Sequence, residues 1–84
     1  MEKIILFDNP RHGWSHLVAS DLETLHAFAQ SIGLKKHWFQ NKKKEGKKQP
    51  HYDLKITMFD TAIVHGAKRV TRAELLTFLE NTYY

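Results

Sequence analysis

Residues 3–20 read KIILFDNPRHGWSHLVAS, and the fold turns on how the chain leaves the apolar run at their start. Lys3 to Phe7 is short, apolar and rich in branched side chains, which predicts a buried strand. Ser15 to Ala19 alternates well enough for a second short strand. Between them, Asp8, Asn9, Pro10 and Gly13 are turn formers, each able to bend the chain for its own reason. The stretch 8–16 therefore reads as a connecting loop. It holds an aspartate, an arginine, two histidines and a tryptophan, more chemistry than a turn requires.

Working outward, Ser20-Asp21-Leu22-Glu23 has capping-box spacing and predicts a helix opened by Ser20. Leu22, Leu25, Ala29 and Ile32 share one side of it, flanked by Phe28, and Gly33 suits its left-handed end. His37 to Gln40 comes next as a predicted strand. Residues 41–50, with Gly46 and Pro50, read as a flexible lysine-rich loop. The spacing of Leu54, Met58, Ala62 and Ile63 predicts a helix from about Leu54 to Gly66. Lys68 to Val70 is a predicted strand. Thr71-Arg72-Ala73-Glu74 is a second capping box, opening a helix through Leu75, Leu76, Phe78 and Leu79. Strands alternating with helices imply a single small α/β domain over 1–84. Its expected sheet is largely parallel, with three to four short strands and about three helices. Ligands of such sheets sit beyond the carboxyl ends of the strands. Segments 8–16 and 40–53 both leave strands there, so they are expected to share one cavity mouth.

Composition narrows the partners. Eighty-four residues leave room for one core, and a chain this small hides only about 60–65% of its unfolded surface. Self-association into a homo-oligomer is expected to help it. The absence of cysteine excludes disulfides and thiolate zinc sites. No apolar run approaches the ~18 residues of a membrane span, and MEKIILFDNP is too soon charged for a signal peptide, so a cytoplasmic protein without a membrane partner is expected. The net charge is +4. Segment 42–50 holds five of the thirteen basic residues and one of the nine acidic ones, leaving eight of each elsewhere. The excess belongs to one segment and implies no broad basic face.

The candidate site residues fall in the two odd segments. Asp8 either caps the Asn9-Pro10 turn or offers a carboxylate to a ligand. Arg11 has the planar fork that takes two oxyanion oxygens at once, unless it is merely solvated. His12 and His16 flank Trp14, which either covers the core or stacks a flat ring. Trp38 and Gln40 precede the lysines, and His51-Tyr52-Asp53 succeeds them. With Tyr52 turned inward, His51 and Asp53 point together on the other side. The alternative is that Asp53 caps the next helix while Tyr52 fills the core. The six histidines raise the question of a metal, but no HExxH signature occurs and His12-x-x-x-His16 spans a glycine. No phosphate loop, nucleophile elbow or dinucleotide fingerprint is present, and no cofactor is expected.

Asp8-x-Pro10-Arg11, Trp14-Ser15-His16-Leu17, Leu25-His26-x-Phe28-Ala29, Gly33, Trp38-Phe39-Gln40, His51-Tyr52-Asp53, Gly66-Ala67 and Val70-Thr71 together form a pattern. It resembles a family of small bacterial and phage proteins classed as a domain of unknown function, over nearly the whole chain. The lysine-rich segment is longer than that pattern implies. The resemblance carries no established activity; its phage association implies a host-interaction role.

Three functions remain open. The first is non-enzymatic binding of a small anionic ligand, a nucleotide or nucleotide-derived signal, through Asp8, Arg11, His12, Trp14, His16, Trp38, Gln40, His51, Tyr52 and Asp53. A phage protein of that kind would sequester a host immune signal as a counter-defence. The second is a metal-dependent or histidine-assisted phosphodiesterase or nuclease built on Asp8, His16, His51 and Asp53. The third is nucleic-acid binding through Lys42, Lys43, Lys44, Lys47 and Lys48.

Overall fold

A computed structural model describes residues 3–44 and 47–83, with side chains described outside the 42–49 segment. The deciding stretch forms a hairpin. Strand β1 (Ile5–Asp8) and strand β2 (Trp14–Ala19) pair antiparallel, with Leu6 opposite Val18 and Phe7 opposite Leu17. Arg11 and Trp14 exchange both backbone hydrogen bonds, at 2.7 and 3.1 Å. His12 (φ 55°) and Gly13 (φ 81°) are the two residues between them. Two successive positive φ values are what a tight type I′ hairpin turn requires, because its twist matches that of the strands. Histidine is among the few side chains enriched in that conformation; glycine takes it without cost. Gly13→Val would place a β-branched residue there. The expected result is a loss of about 1–3 kcal/mol in urea unfolding; an unchanged midpoint would contradict this account of the turn.

Helix α1 (Leu22–Ser31) comes next, then a 3₁₀ turn at Lys36–Trp38, strand β3 (Phe39–Lys44) and the nine-residue strand β4 (Lys47–Lys55). A second 3₁₀ turn (Ile56–Met58), helix α2 (Phe59–Val64), strand β5 (Lys68–Val70) and helix α3 (Arg72–Tyr83) complete the chain. The sheet order is β3-β4-β2-β1-β5. β1–β5 is parallel, whereas β1–β2, β2–β4 and β3–β4 are antiparallel.

This corrects the expected largely parallel sheet of three to four strands: the sheet is five-stranded, mixed and mostly antiparallel. The alternation of strands and helices did signal crossovers. α1 joins β2 to β3, and α2 joins β4 to β5; the pairings make each of these couples run in the same direction. Yet β4 lies between β2 and β3, while β2 and β1 lie between β4 and β5. Each gap that a helix crosses thus holds an antiparallel strand, β4 in the first and β2 in the second. The segment expected as a loop at 41–50 supplies the end of β3 and the start of β4, with Asn41 opposite Pro50 and Lys44 opposite Lys47; residues 45 and 46 lie outside the described residues. Leu54 belongs to β4 rather than to a helix, so its four-residue spacing to Met58 and Ala62 reflects burial on a shared side and not helical phase.

Two apolar clusters lie on the sheet's two faces. Phe7, Leu17, Ala19, Tyr52 and Leu54 meet Leu25, Phe28 and Ala29 of α1 and Phe59 and Ala62 of α2. On the other face Leu6, Val18 and Val70 meet Leu75 and Leu79 of α3. Asp21, not Ser20, caps α1, accepting from the Thr24 amide at 2.7 Å, while Ser20 Oγ accepts from Ile4 N. The Thr71–Glu74 capping box forms as its sequence implies.

Candidate functional site

Side chains alternate along strands, so the α3 face that carries Leu6 and Val18 also carries Asp8, His16, His51 and Asp53. His16 lies directly opposite Asp53, and Asp8 lies one step beyond the Phe7–Leu17 pair. Asp8 is 2% exposed. One of its oxygens accepts from the His16 amide at 2.7 Å, and the other lies 3.0 Å from His16 Nδ1. Arg72, on the first turn of α3, brings a guanidinium nitrogen within 3.9 Å of that second oxygen. Burial pushes the Asp8 carboxyl up, but the hydrogen bonds from His16 and the charges of His16 and Arg72 outweigh it and hold the group below its ordinary value. Asp8 therefore stays ionised at neutral pH, and both of its described hydrogen bonds go to His16 rather than to the Asn9-Pro10 turn.

A second imidazole–carboxylate pair stands beside the first. His51 Nε2 is 3.5 Å from Asp53 Oδ1, and Gln40 Nε2 donates to Asp53 Oδ2 at 2.6 Å. The rings of His16 and His51 meet edge to face, centroids 4.9 Å apart. Asp53 is mid-strand and caps no helix. Asp8, His16, His51 and Arg72 line a small cleft of about 30 Å³ over Val18 and Leu75. That is room for one or two waters.

A larger cleft, about 290 Å³, opens on the other side of Asp53. Trp14, Trp38, Asp53 and Lys55 line it, over Leu34 and Met58. Trp14 is 44% exposed and Trp38 41%. The Lys55 ammonium lies 5.3 Å from the Trp14 ring centroid, and the Lys35 ammonium 5.8 Å from that of Trp38. Each tryptophan thus has a cation against it. The β2 hairpin reaches the cleft because Ile56 N donates to Gly13 O at 3.1 Å, tying the turn to the end of β4.

The remaining expected residues go elsewhere. Arg11 and His12 are exposed at the hairpin turn and line neither cleft. Tyr52 points to the opposite face, buried in the core, with its hydroxyl 2.6 Å from His26 Nδ1. Burial raises its phenol above the ordinary value. The side chains of Lys42, Lys43, Lys44, Lys47 and Lys48, the expected basis of nucleic-acid binding, lie outside the described residues. Among the described residues no three histidine or carboxylate side chains are placed to hold a metal ion, and no helix is long and apolar enough to cross a membrane. Sequence reasoning missed Arg72, Lys55 and Lys35. Arg72 had a signal, since it stands at the first turn of a capped helix directly after a strand.

The family model of a protein of unknown function, DUF4031, matches residues 5–82. The chain belongs to DUF4031. The match takes in both clefts and every element from β1 to α3, so this paired-imidazole face is carried on the DUF4031 domain itself. No curated protein and no solved structure matches the DUF4031 chain.

Proposed function

We propose that this protein binds a small anionic ligand bearing a flat ring, a nucleotide or a nucleotide-derived molecule. The observation that supports it is the larger cleft, where Trp14 and Trp38 come from separate segments to line one space. Its 290 Å³ lies at the small end of ligand pockets. A base entering there stacks on indole, and stacking of this kind contributes about 1–3 kcal/mol per base. Lys35 and Lys55, now against the indoles, are in reach of the ligand's phosphate. Asp53, held by Gln40, offers a fixed acceptor for hydroxyl or amino hydrogens. The same occupancy serves either sequestration, the role implied by a phage protein, or turnover, which depends on the adjoining imidazoles.

The test uses the protein's own chromophores. Its two tryptophans are the only ones, and both line the cleft. Titration with mono- and dinucleotides is expected to change their fluorescence saturably, while inorganic phosphate leaves it unchanged. Trp14→Ala and Trp38→Ala, each read through the remaining indole, are expected to weaken binding roughly 5- to 150-fold. No saturable change with any nucleotide of the panel would end the proposal.

A further inference from the structure

The small cleft holds an arrangement that binding alone does not require. An ionised carboxylate only accepts hydrogen bonds, so His16 Nδ1–H donates to Asp8 and, in the neutral ring, the lone pair lies on Nε2. The same carboxylate holds the His16 backbone amide, which fixes ring and main chain together. A base oriented by a buried third group is the recurring arrangement of acid–base sites. His16 is half exposed, with 38% of its side chain accessible, so its far nitrogen is not sealed in the core. The cleft beside it has water-sized room, a guanidinium from Arg72 and a second imidazole from His51. Of the two imidazole–carboxylate couples, the one residue that also lines the tryptophan cleft is Asp53, directly across the sheet from His16. A ligand seated on the indoles and extending past Asp53 reaches His16.

We infer that the protein hydrolyses a phosphodiester of the ligand held in the tryptophan cleft, with His16 as general base and Asp8 as its positioning residue. This rests on the proposal that the cleft binds a nucleotide. A water oxygen forms the new bond to phosphorus as its proton passes to His16 Nε2. The phosphorus–oxygen bond to the leaving alcohol breaks, and the departing oxygen takes a proton from bulk water. His16 returns its proton to solvent, so a phosphodiester and water become a phosphomonoester and an alcohol. Arg72 faces the charge that develops on the phosphoryl oxygens, and His51, fixed by Asp53, bounds the cleft on the β4 side. No nucleophilic side chain and no cofactor is called for.

The test is to incubate the protein with linear and cyclic dinucleotides and cyclic mononucleotides, separate the products chromatographically, and monitor binding in parallel by tryptophan fluorescence. Conversion to phosphomonoesters is expected. His16→Gln is expected to slow it by about 100-fold or more while binding persists, the usual range for a lost general base. Asp8→Asn is expected to slow it less, lowering kcat while KM stays close to that of the native protein, because Asp8 orients the base and does not touch the ligand. A purely structural Asp8 would leave kcat per folded molecule unchanged. Urea midpoints of both variants separate lost chemistry from lost folding. A nucleotide bound and recovered intact overturns the hydrolytic inference and leaves the binding reading standing. Turnover undiminished in a folded His16→Gln variant also overturns it. A panel that neither binds nor reacts overturns both.

Discussion

Replacing Asp8 by alanine is expected to lower the unfolding free energy by on the order of 2–4 kcal/mol at neutral pH. The carboxylate is buried and accepts from two groups of His16, with Arg72 near. Truncation leaves the His16 amide, at the end of the β1–β2 ladder, without its acceptor, and a buried donor so deprived costs about 1–3 kcal/mol. The Arg72 contribution is small, because that side chain is half exposed and water screens the pair. The pH dependence separates these effects. Asp8 in the folded protein ionises below its ordinary value of 3.8, so its stabilisation is fully present above that pH. It is lost as pH falls through the depressed folded value. The gap between the native protein and Asp8→Ala should therefore narrow below about pH 4. Asp8→Asn, which keeps one acceptor oxygen for the amide, should fall between the two near neutrality and show none of this narrowing. Denaturant titrations at about pH 7 and about pH 3, above and below the ordinary carboxyl value, measure all three. A gap equally wide at both would show that the lost contact is steric and that the carboxylate charge adds nothing.

The same residue shows what could be read from the chain and what could not. Its proximity to His16 and Asp53 was open to sequence reasoning, since both odd segments flank apolar runs. The pairing that brings them together was not. It depends on His12 and Gly13 forming a two-residue turn, and His-Gly is a far weaker hairpin signal than Asn-Gly. Read as a loop, 8–16 let Arg11 face the ligand; closed as a hairpin, it carries Arg11 and His12 to an exposed tip. The sheet failed for a related reason. Strand–helix alternation reports that the chain crosses over, whereas strand neighbours are set by tertiary packing that no local window contains. Lysines in the β3–β4 hairpin hid it further, because a polar run with glycine and proline has the composition of a loop. Lysine on an edge strand is instead a common guard against edge-to-edge pairing, and β3 is an edge. Capping signals fared better, being local: one box formed as read, and the other moved by a single residue to Asp21.

Phe7→Ala tests the larger half of this architecture, and it should be the most damaging core truncation. Phe7 has no exposed surface, sits on interior strand β1 and packs its ring centroid 4.7 Å from that of Phe59, tilted by 50°. It thereby joins the sheet to α2, whose six residues have no side-chain cap and depend on packing for their helical form. Truncation of a buried phenylalanine costs about 3–5 kcal/mol through lost transfer energy and residual cavity. A domain of this size has only some 5–15 kcal/mol in total. At about 4–8 °C per kcal/mol, the melting midpoint should fall by more than roughly 12 °C. Phe7→Leu conserves most of the volume and should cost about 1.5 kcal/mol or less. Leu79→Ala, on the α3 side, offers the contrast. It belongs to the smaller cluster, about two turns along the helix whose first turn carries Arg72, and lines the small cleft with it. Its cost, about 2–5 kcal/mol, should be accompanied by loosening of α3 over the small cleft. If Phe7→Ala instead melts within a few degrees of the native protein, the α2 layer is not held by this contact. The crossover from β4 to β5 must then be secured by Ala62 and Ala67, which are also buried in that cluster.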